Sequence, residues 1–147
     1  MLYFAYGSNL NHFQMKNRCS GSRYVKKHTL NGYKLCFSHK TNHSIYGHAN
    51  IVKKKKSKVS GALWHITKKD EKELDWYEGV NYSYYRKKYF TLNGKKVLVY
   101  IQNIYYLKKP NSSYLHTIIE GYKDCFLDMK KLKKIISKYN IKYKINW

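Results

Sequence analysis

Apolar positions recur with a period of two in some stretches of the chain and with a helical period in others, and glycine, asparagine, serine and threonine mark the boundaries. Tyr3-Phe4-Ala5-Tyr6 is a short apolar run that stops at Gly7, as a buried strand would. Gly7-Ser8-Asn9 is a turn in which Ser8 or Asn9 caps a short helix near residues 10–16. Tyr33-Lys34-Leu35-Cys36-Phe37 alternates as a strand. Residues 49–52 and 59–66 also read as strands. Between them Lys53-Lys54-Lys55-Lys56-Ser57-Lys58 has no apolar partner and predicts an exposed loop. Thr67 with Asp70 has the spacing of a capping box, with Asp in place of Glu, and Asp70 and Glu71 in the first turn suit the helix dipole. Leu74 and Tyr77 give this helix an apolar face, Gly79 stops it, and Glu78 falls at its C-terminal end. Residues 85–92 and 96–106 are strands joined through Asn93-Gly94, a hairpin signal. Asn111 to Ser113 begin a helix in which Leu115, Ile118, Ile119 and Tyr122 share one face. Leu132, Ile135, Ile136 and Tyr139 repeat that spacing in a last, lysine-covered helix. The order of strands, helix, strands and helices predicts an α+β fold.

Composition narrows the class. At 147 residues, 43% of them hydrophobic, the chain predicts one domain over 1–147 with a real core, not a disordered basic tail. No apolar run reaches the ~20 residues of a membrane span, and Met1 to Tyr6 lacks the pattern of a secretory signal. Cys19, Cys36 and Cys125 are odd in number and lack a C-x-x-C pair, which argues against a disulfide framework or a thiolate zinc site. The expectation is a reduced, cytoplasmic protein, a monomer or a homodimer, without membrane attachment.

Thirty Lys+Arg against eight Asp+Glu give a net charge of +22, which attracts nucleic acid, anionic lipid or acidic protein. Only Arg18, Arg23 and Arg86 are arginines, whereas bidentate phosphate recognition favours arginine. The abundance of Lys, Asn, Tyr and Ile together follows A/T-rich codons, although the scarcity of acids does not. Nucleic-acid binding is therefore expected to be weak and blind to sequence.

Few residues carry candidate chemistry. Five of the eight carboxylates lie between Asp70 and Glu78. His39, His43 and His48 are close in sequence, but the segment is a poor helix with no nearby acid, so it reads as a polar loop and not a metal site. No cysteine has neighbours that would activate it. The Tyr6–Leu10 turn passes from a strand to a helix and directs successive N–H groups into one concavity, a place for carboxylate or phosphate. Glu78 combines a helix C-terminus with Trp76, Tyr77 and Val80. Both features raise a carboxyl pKa toward that of a general acid/base. The local alternative is an exposed glutamate among lysines.

Taken together, Tyr3-Phe4-Ala5-Tyr6-Gly7-Ser8-Asn9-Leu10 resembles the opening signature of the γ-glutamylcyclotransferases. The likeness continues through Gly61-Ala62-Leu63-Trp64, Leu74-Asp75-Trp76-Tyr77-Glu78-Gly79-Val80, Tyr84-Tyr85 and Val99-Tyr100. It ends with Pro110 to Tyr114 and Ile119-Glu120-Gly121. The resemblance implies a small mixed β-barrel with packed helices. It also implies a reaction in which a γ-glutamyl α-amine attacks its own γ-carbonyl, releasing 5-oxoproline and an amino acid or amine, with no metal or other cofactor. Glu78 matches the catalytic glutamate. Tyr6, Gly7, Ser8, Asn9 and Leu10 match the loop that holds the glutamyl group, and Tyr85, Tyr100 and Tyr114 match tyrosines of the pocket. The Ser8-Asn9 pair is similar to the branch acting on γ-glutamyl amino acids. The short segment after Tyr106 and the basic stretch from Asp128 depart from the pattern. The rival reading is a non-catalytic binding protein of the same fold, whose basic surface recruits nucleic acid or an acidic partner.

Overall fold

A computed structural model describes residues 1–147. Six strands form one mixed sheet in the order β4-β5-β1-β3-β2-β6. Strand β1 (Leu2–Ala5) sits inside it, antiparallel to β3 (His48–His65) with Phe4 opposite Leu63. It runs parallel to β5 (Lys95–Ile101), with Tyr3 opposite Leu98. A central strand buried on both faces needs apolar residues at consecutive positions, and Tyr3, Phe4 and Ala5 are all buried. Strand β4 (Arg86–Leu92) is an edge. It joins β5 through Asn93 and Gly94, both at positive φ, as a two-residue hairpin turn requires.

The lysine run is not a loop between two strands. β3 is continuous through it and pairs with β2 (Arg23–His39), which is far longer than the 33–37 segment that alternation reveals. Between the pairs Asn31↔Lys58 and Tyr33↔Lys53, β3 passes through residues 54–57 while β2 passes only Gly32. The extra residues form an exposed excursion with Lys56 in the left-handed region. Solvated charge explains the exposure, and the partner strand explains why the backbone stays extended.

The 96–106 segment also divides. β5 ends at Ile101, and Tyr106–Leu107 forms β6 on the opposite edge, paired with β2. The Asn50 side chain causes the break. Its Oδ1 accepts the Gln102 N–H (2.9 Å) and its Nδ2 donates to the Gln102 carbonyl (3.1 Å), so a side chain takes both backbone groups. Ser38 Oγ donates to Gln102 Oε1 at 2.7 Å. These contacts join β5 to β3 and β2 across the region beyond the end of β1, and the sheet curls into a half-barrel with four helices around it.

Helix α1 (His12–Arg18) begins later than the sequence suggests. Residues 8–10 form a 3₁₀ turn, and Asn11 is the cap, its side chain accepting the Gln14 N–H. Asn9 cannot serve as cap because it is buried and its amide bonds inward. Helix α2 (Lys68–Tyr77) has the Thr67–Asp70 capping box, with both reciprocal bonds formed. Helix α3 (Ser112–Asp124) lies against the 3₁₀ turn. A Cβ on Gly121 would stand 2.7 Å from Leu10 Cβ and 2.7 Å from the Asn11 nitrogen, so only glycine permits this approach. Helix α4 (Met129–Ile136) ends before Tyr139, whose hydroxyl instead accepts the Phe37 N–H at 2.7 Å. No helix is long and apolar enough to cross a membrane.

Candidate active site

Two backbone turns meet on the sheet. In the first, β1 runs into Gly7 and the 3₁₀ turn. A Cβ on Gly7 would lie 2.9 Å from Ala49 Cβ and 3.4 Å from Tyr114 Oη, so glycine is needed here for space. The Leu10 and Asn11 N–H groups close the turn onto the Gly7 and Ser8 carbonyls. The Ser8 and Asn9 N–H groups have no acceptor in the chain. In the second turn, Glu78 caps the C-terminus of α2 and Gly79, at φ +64°, reverses the chain. The N–H groups of Tyr84 and Tyr85 then return to the carbonyls of Gly79 and Glu78, which brings two tyrosines beside the carboxyl.

Between the turns lies a cavity of about 170 Å³. Tyr6, Gly7, Ser8, Asn9, Glu78, Tyr85, Tyr100 and Tyr114 all line it, although the sequence spreads them from one end of the chain to α3. Leu10 does not. Its side chain is fully buried against α3 and its N–H is committed to the turn, so the expectation that Leu10 contacts a ligand is corrected.

Glu78 is half-buried, and burial pushes its carboxyl up to about 7 against the opposing pull of the Arg18 guanidinium. Trp76, which the sequence offers as an apolar neighbour, is 70% exposed; tyrosines from the sheet and from the segment after Gly79 line the cavity instead. Asn9 fixes the orientation of the site. Its Oδ1 accepts from Gln14 Nε2 (3.1 Å) and Arg18 Nη1 (3.2 Å), and its Nδ2 donates to Tyr3 Oη (3.0 Å) and Glu78 Oε1 (3.3 Å). Arg18 in turn covers the Tyr77 ring at 4.3 Å. Three tyrosine hydroxyls are committed: Tyr6 to the Tyr100 carbonyl, Tyr85 to the Ala49 carbonyl and Tyr100 to Asp75. The Tyr114 hydroxyl accepts the Ala49 N–H at 2.9 Å and keeps its own proton available.

Sequence reasoning missed Tyr3, Arg18, His48, Tyr77 and Tyr84 in the lining. Gln14 and Arg18 are spaced i, i+4, so a correct helix start would have placed both on the face toward Asn9. His48 had no such signal, because its place depends on the β2–β3 register. His39 and His43 do not line the cavity, and no cluster of three His, Cys, Asp or Glu side chains has metal-binding geometry.

The arrangement is a carboxyl poised near neutrality beside two uncommitted backbone N–H groups in a tyrosine-walled cavity. The family model "Gamma-glutamyl cyclotransferase, AIG2-like" matches residues 3–122, which include every one of these groups. The chain belongs to this gamma-glutamyl cyclotransferase, AIG2-like family. Among its relatives, the human protein named "Gamma-glutamylcyclotransferase" is 29% identical over 143 residues, spanning 91% of this chain and 76% of the human one. A solved structure named "Gamma-glutamyl cyclotransferase" superposes with a TM-score of 0.80 at 26% identity, covering 99% of this chain and 93% of that one. YkqA from Bacillus subtilis shares the fold, with a TM-score of 0.75 at 22% identity over 93% of this chain and 54% of its own. The cyclotransferase fold is thus present along the whole chain.

Proposed function

We propose that the chain is a γ-glutamyl cyclotransferase acting on a γ-glutamyl amino acid or amine, with Glu78 as general acid/base. The observation that carries this reading is the Glu78 carboxyl, raised to about 7, in the wall of a cavity shared with the 3₁₀ turn. In this reading the substrate's α-carboxylate accepts hydrogen bonds from the Ser8 and Asn9 N–H groups, and its α-ammonium faces Glu78. A carboxylate with this affinity for protons takes one from the ammonium. The freed amine forms a bond to the γ-carbonyl carbon, and the Tyr114 hydroxyl donates to the oxygen that gains charge. The bond from that carbon to the leaving nitrogen then breaks. The attacking nitrogen gives up two protons in becoming the lactam N–H. The leaving nitrogen gains two in becoming an ammonium, with Glu78 carrying them across. No water or other co-reactant is consumed. Because attack closes a five-membered ring, holding the amine over the carbonyl supplies much of the acceleration. Tyr6, Tyr85 and Tyr100, tied to the scaffold, act as rigid walls.

Three free, buried cysteines fit a reducing compartment, and we place the protein in the cytosol. The basic surface is read as solvated charge with weak, salt-sensitive affinity for nucleic acid. The deciding experiment offers the protein a panel of γ-glutamyl dipeptides and amides and measures 5-oxoproline. Release from at least one is expected. No release from any overturns the reading in favour of a binding protein. Gly7→Val should abolish release through overlap with Ala49 and Tyr114.

A further inference from the structure

The family match ends at Tyr122, and nothing after α4 lines the cavity. The residues that follow α4 are nevertheless patterned. Tyr139, Ile141, Tyr143, Ile145 and Trp147 pack against the core, while Asn140, Lys142, Lys144 and Asn146 between them are exposed. A period of two belongs to extended backbone with one buried face, yet residues 139–147 join no sheet. They form an arm held by side chains.

The anchors of the arm are specific. The Tyr139 hydroxyl takes both backbone groups of Phe37, accepting the N–H at 2.7 Å and donating to the carbonyl at 3.2 Å. Its ring stands edge-on to the Phe37 ring, with centroids 5.8 Å apart. The Tyr143 hydroxyl donates to the Pro110 carbonyl at 2.6 Å. The Asn146 N–H donates to His116 Nε2 at 3.0 Å, and His116 Nδ1 lies 2.7 Å from the Ser112 carbonyl. Lys133 of α4 covers the Trp147 ring at 5.5 Å.

These anchors converge on one contact in the cavity wall. Tyr114 is the third residue of α3, and its N–H is held at 2.8 Å by the side chain of Asn111, the residue directly after Pro110. Its hydroxyl accepts the Ala49 N–H at 2.9 Å, and Ala49 is the partner of Phe37 in the β2–β3 register. The Phe37 ring is edge-on to Tyr114 as well, at 6.5 Å. Tyr139 thus fixes the strand pair that Tyr114 bonds, and Tyr143 and Asn146 fix the helix start that carries Tyr114. The first turn of a helix lacks the bonds of its interior and opens readily, so a donor placed there needs support from outside the helix.

We infer that residues 139–147 hold Tyr114 in place for the reaction, with Tyr139 and Tyr143 as positioning residues that act through Phe37 and Pro110. The inference rests on the cyclotransferase reading, in which the Tyr114 hydroxyl donates to the oxygen that gains charge. That charge exists only in the transition state, so loss of position lowers kcat and leaves KM nearly unchanged.

The test measures kcat and KM from 5-oxoproline release with a γ-glutamyl dipeptide, and denaturant unfolding of each variant checks folding. Tyr114→Phe should lower kcat about 10²–10³-fold, the cost of a missing donor to the oxyanion. Tyr139→Phe combined with Tyr143→Phe keeps both rings and removes the two hydroxyls. The pair should lower kcat about ten-fold in an otherwise wild-type chain and cause no further loss beside Tyr114→Phe. Amide hydrogen exchange reads the same contact without turnover. The Ala49 N–H should exchange faster in the double variant, approaching its rate in Tyr114→Phe, while the amides of β1 keep their protection. Tyr143→Phe alone should move both readouts in the same direction if the pair fails to fold. An equal kcat loss with and without the Tyr114 hydroxyl, a rise in KM alone, or unchanged kcat and Ala49 exchange would overturn the inference and leave the arm a packing element. Intact kcat in Tyr114→Phe would overturn it while the cyclotransferase reading stands. Absence of 5-oxoproline from the wild-type protein with every γ-glutamyl dipeptide would overturn both.

Discussion

Asp70 and Glu78 occupy opposite ends of the same ten-residue helix, and the fold uses them in opposite ways. Asp70 is 2% exposed and well supplied with donors. Its Oδ2 accepts the Thr67 N–H at 2.9 Å and its Oδ1 accepts the Gly21 N–H at 3.2 Å, at the end of α2 where the helix dipole favours negative charge. Glu78 lies at the end where the dipole opposes negative charge, and its one side-chain partner is Asn9 at 3.3 Å. Burial is common to both. The number of donors and the sign of the helix end separate a carboxylate that builds structure from one left ready to accept a proton.

The largest effect that breaks this comparison is Glu78→Gln. Gln keeps the shape and the bond to Asn9 but cannot take a proton. Turnover of a γ-glutamyl substrate should fall about 10²–10⁴-fold, while denaturant unfolding shows no loss of stability. A variant retaining a tenth of the wild-type rate would remove Glu78 from its role.

The pH dependence sharpens the contrast. A carboxyl raised to about 7 in the folded chain binds protons that the unfolded chain has already released. Its stabilising contribution is therefore present at low pH and is lost as pH rises from the unfolded value, about 4.3, through about 7, at up to about 1.4 kcal/mol per pH unit. Glu78→Gln should flatten the stability curve in that window. Wild-type kcat/KM should rise over the same upper range as the base ionises. A wild-type stability curve unchanged by the substitution would mean that the carboxyl is not desolvated.

Asp70→Ala should do the reverse, lowering stability by about 1–3 kcal/mol because the Gly21 and Thr67 N–H groups lose their acceptor. Turnover per folded molecule should change far less than in Glu78→Gln. Smallest of all, Thr67→Ala removes half of the capping box and should cost about 1 kcal/mol, read as a shift in the unfolding midpoint. If Thr67→Ala or Asp70→Ala reduced turnover as strongly as Glu78→Gln, the two ends of α2 would not be functionally separate.

Much of this was legible before any coordinates. The capping box at Thr67 and Asp70, the Asn93-Gly94 hairpin, the stop at Gly79 and the buried face of α3 are written in neighbouring residues, because each depends on backbone chemistry within one turn. The lysine excursion and the division of the 96–106 segment were not. The first depends on pairing with β2, and the second on an Asn50 side chain distant in sequence. Arg18 faces Asn9 only because the helix starts at Asn11, which the Ser8-Asn9 pair masks, and a motif does not say which of its residues turn into the core, as Leu10 does.

By itself the sequence determined that α2 would end at Glu78 and β1 at Gly7, and that both would flank turns, since short-range sterics and capping decide these points. Only the tertiary structure decided that the two turns face one cavity, that sheet tyrosines and His48 line it, and that Asn9 bonds Glu78. The physical reason is that a carboxyl's proton affinity depends on how much water and how many donors surround it. In this chain those surroundings come from β1, β3, β5, α1 and α3, brought together by strand register and helix packing that no local stretch of residues encodes.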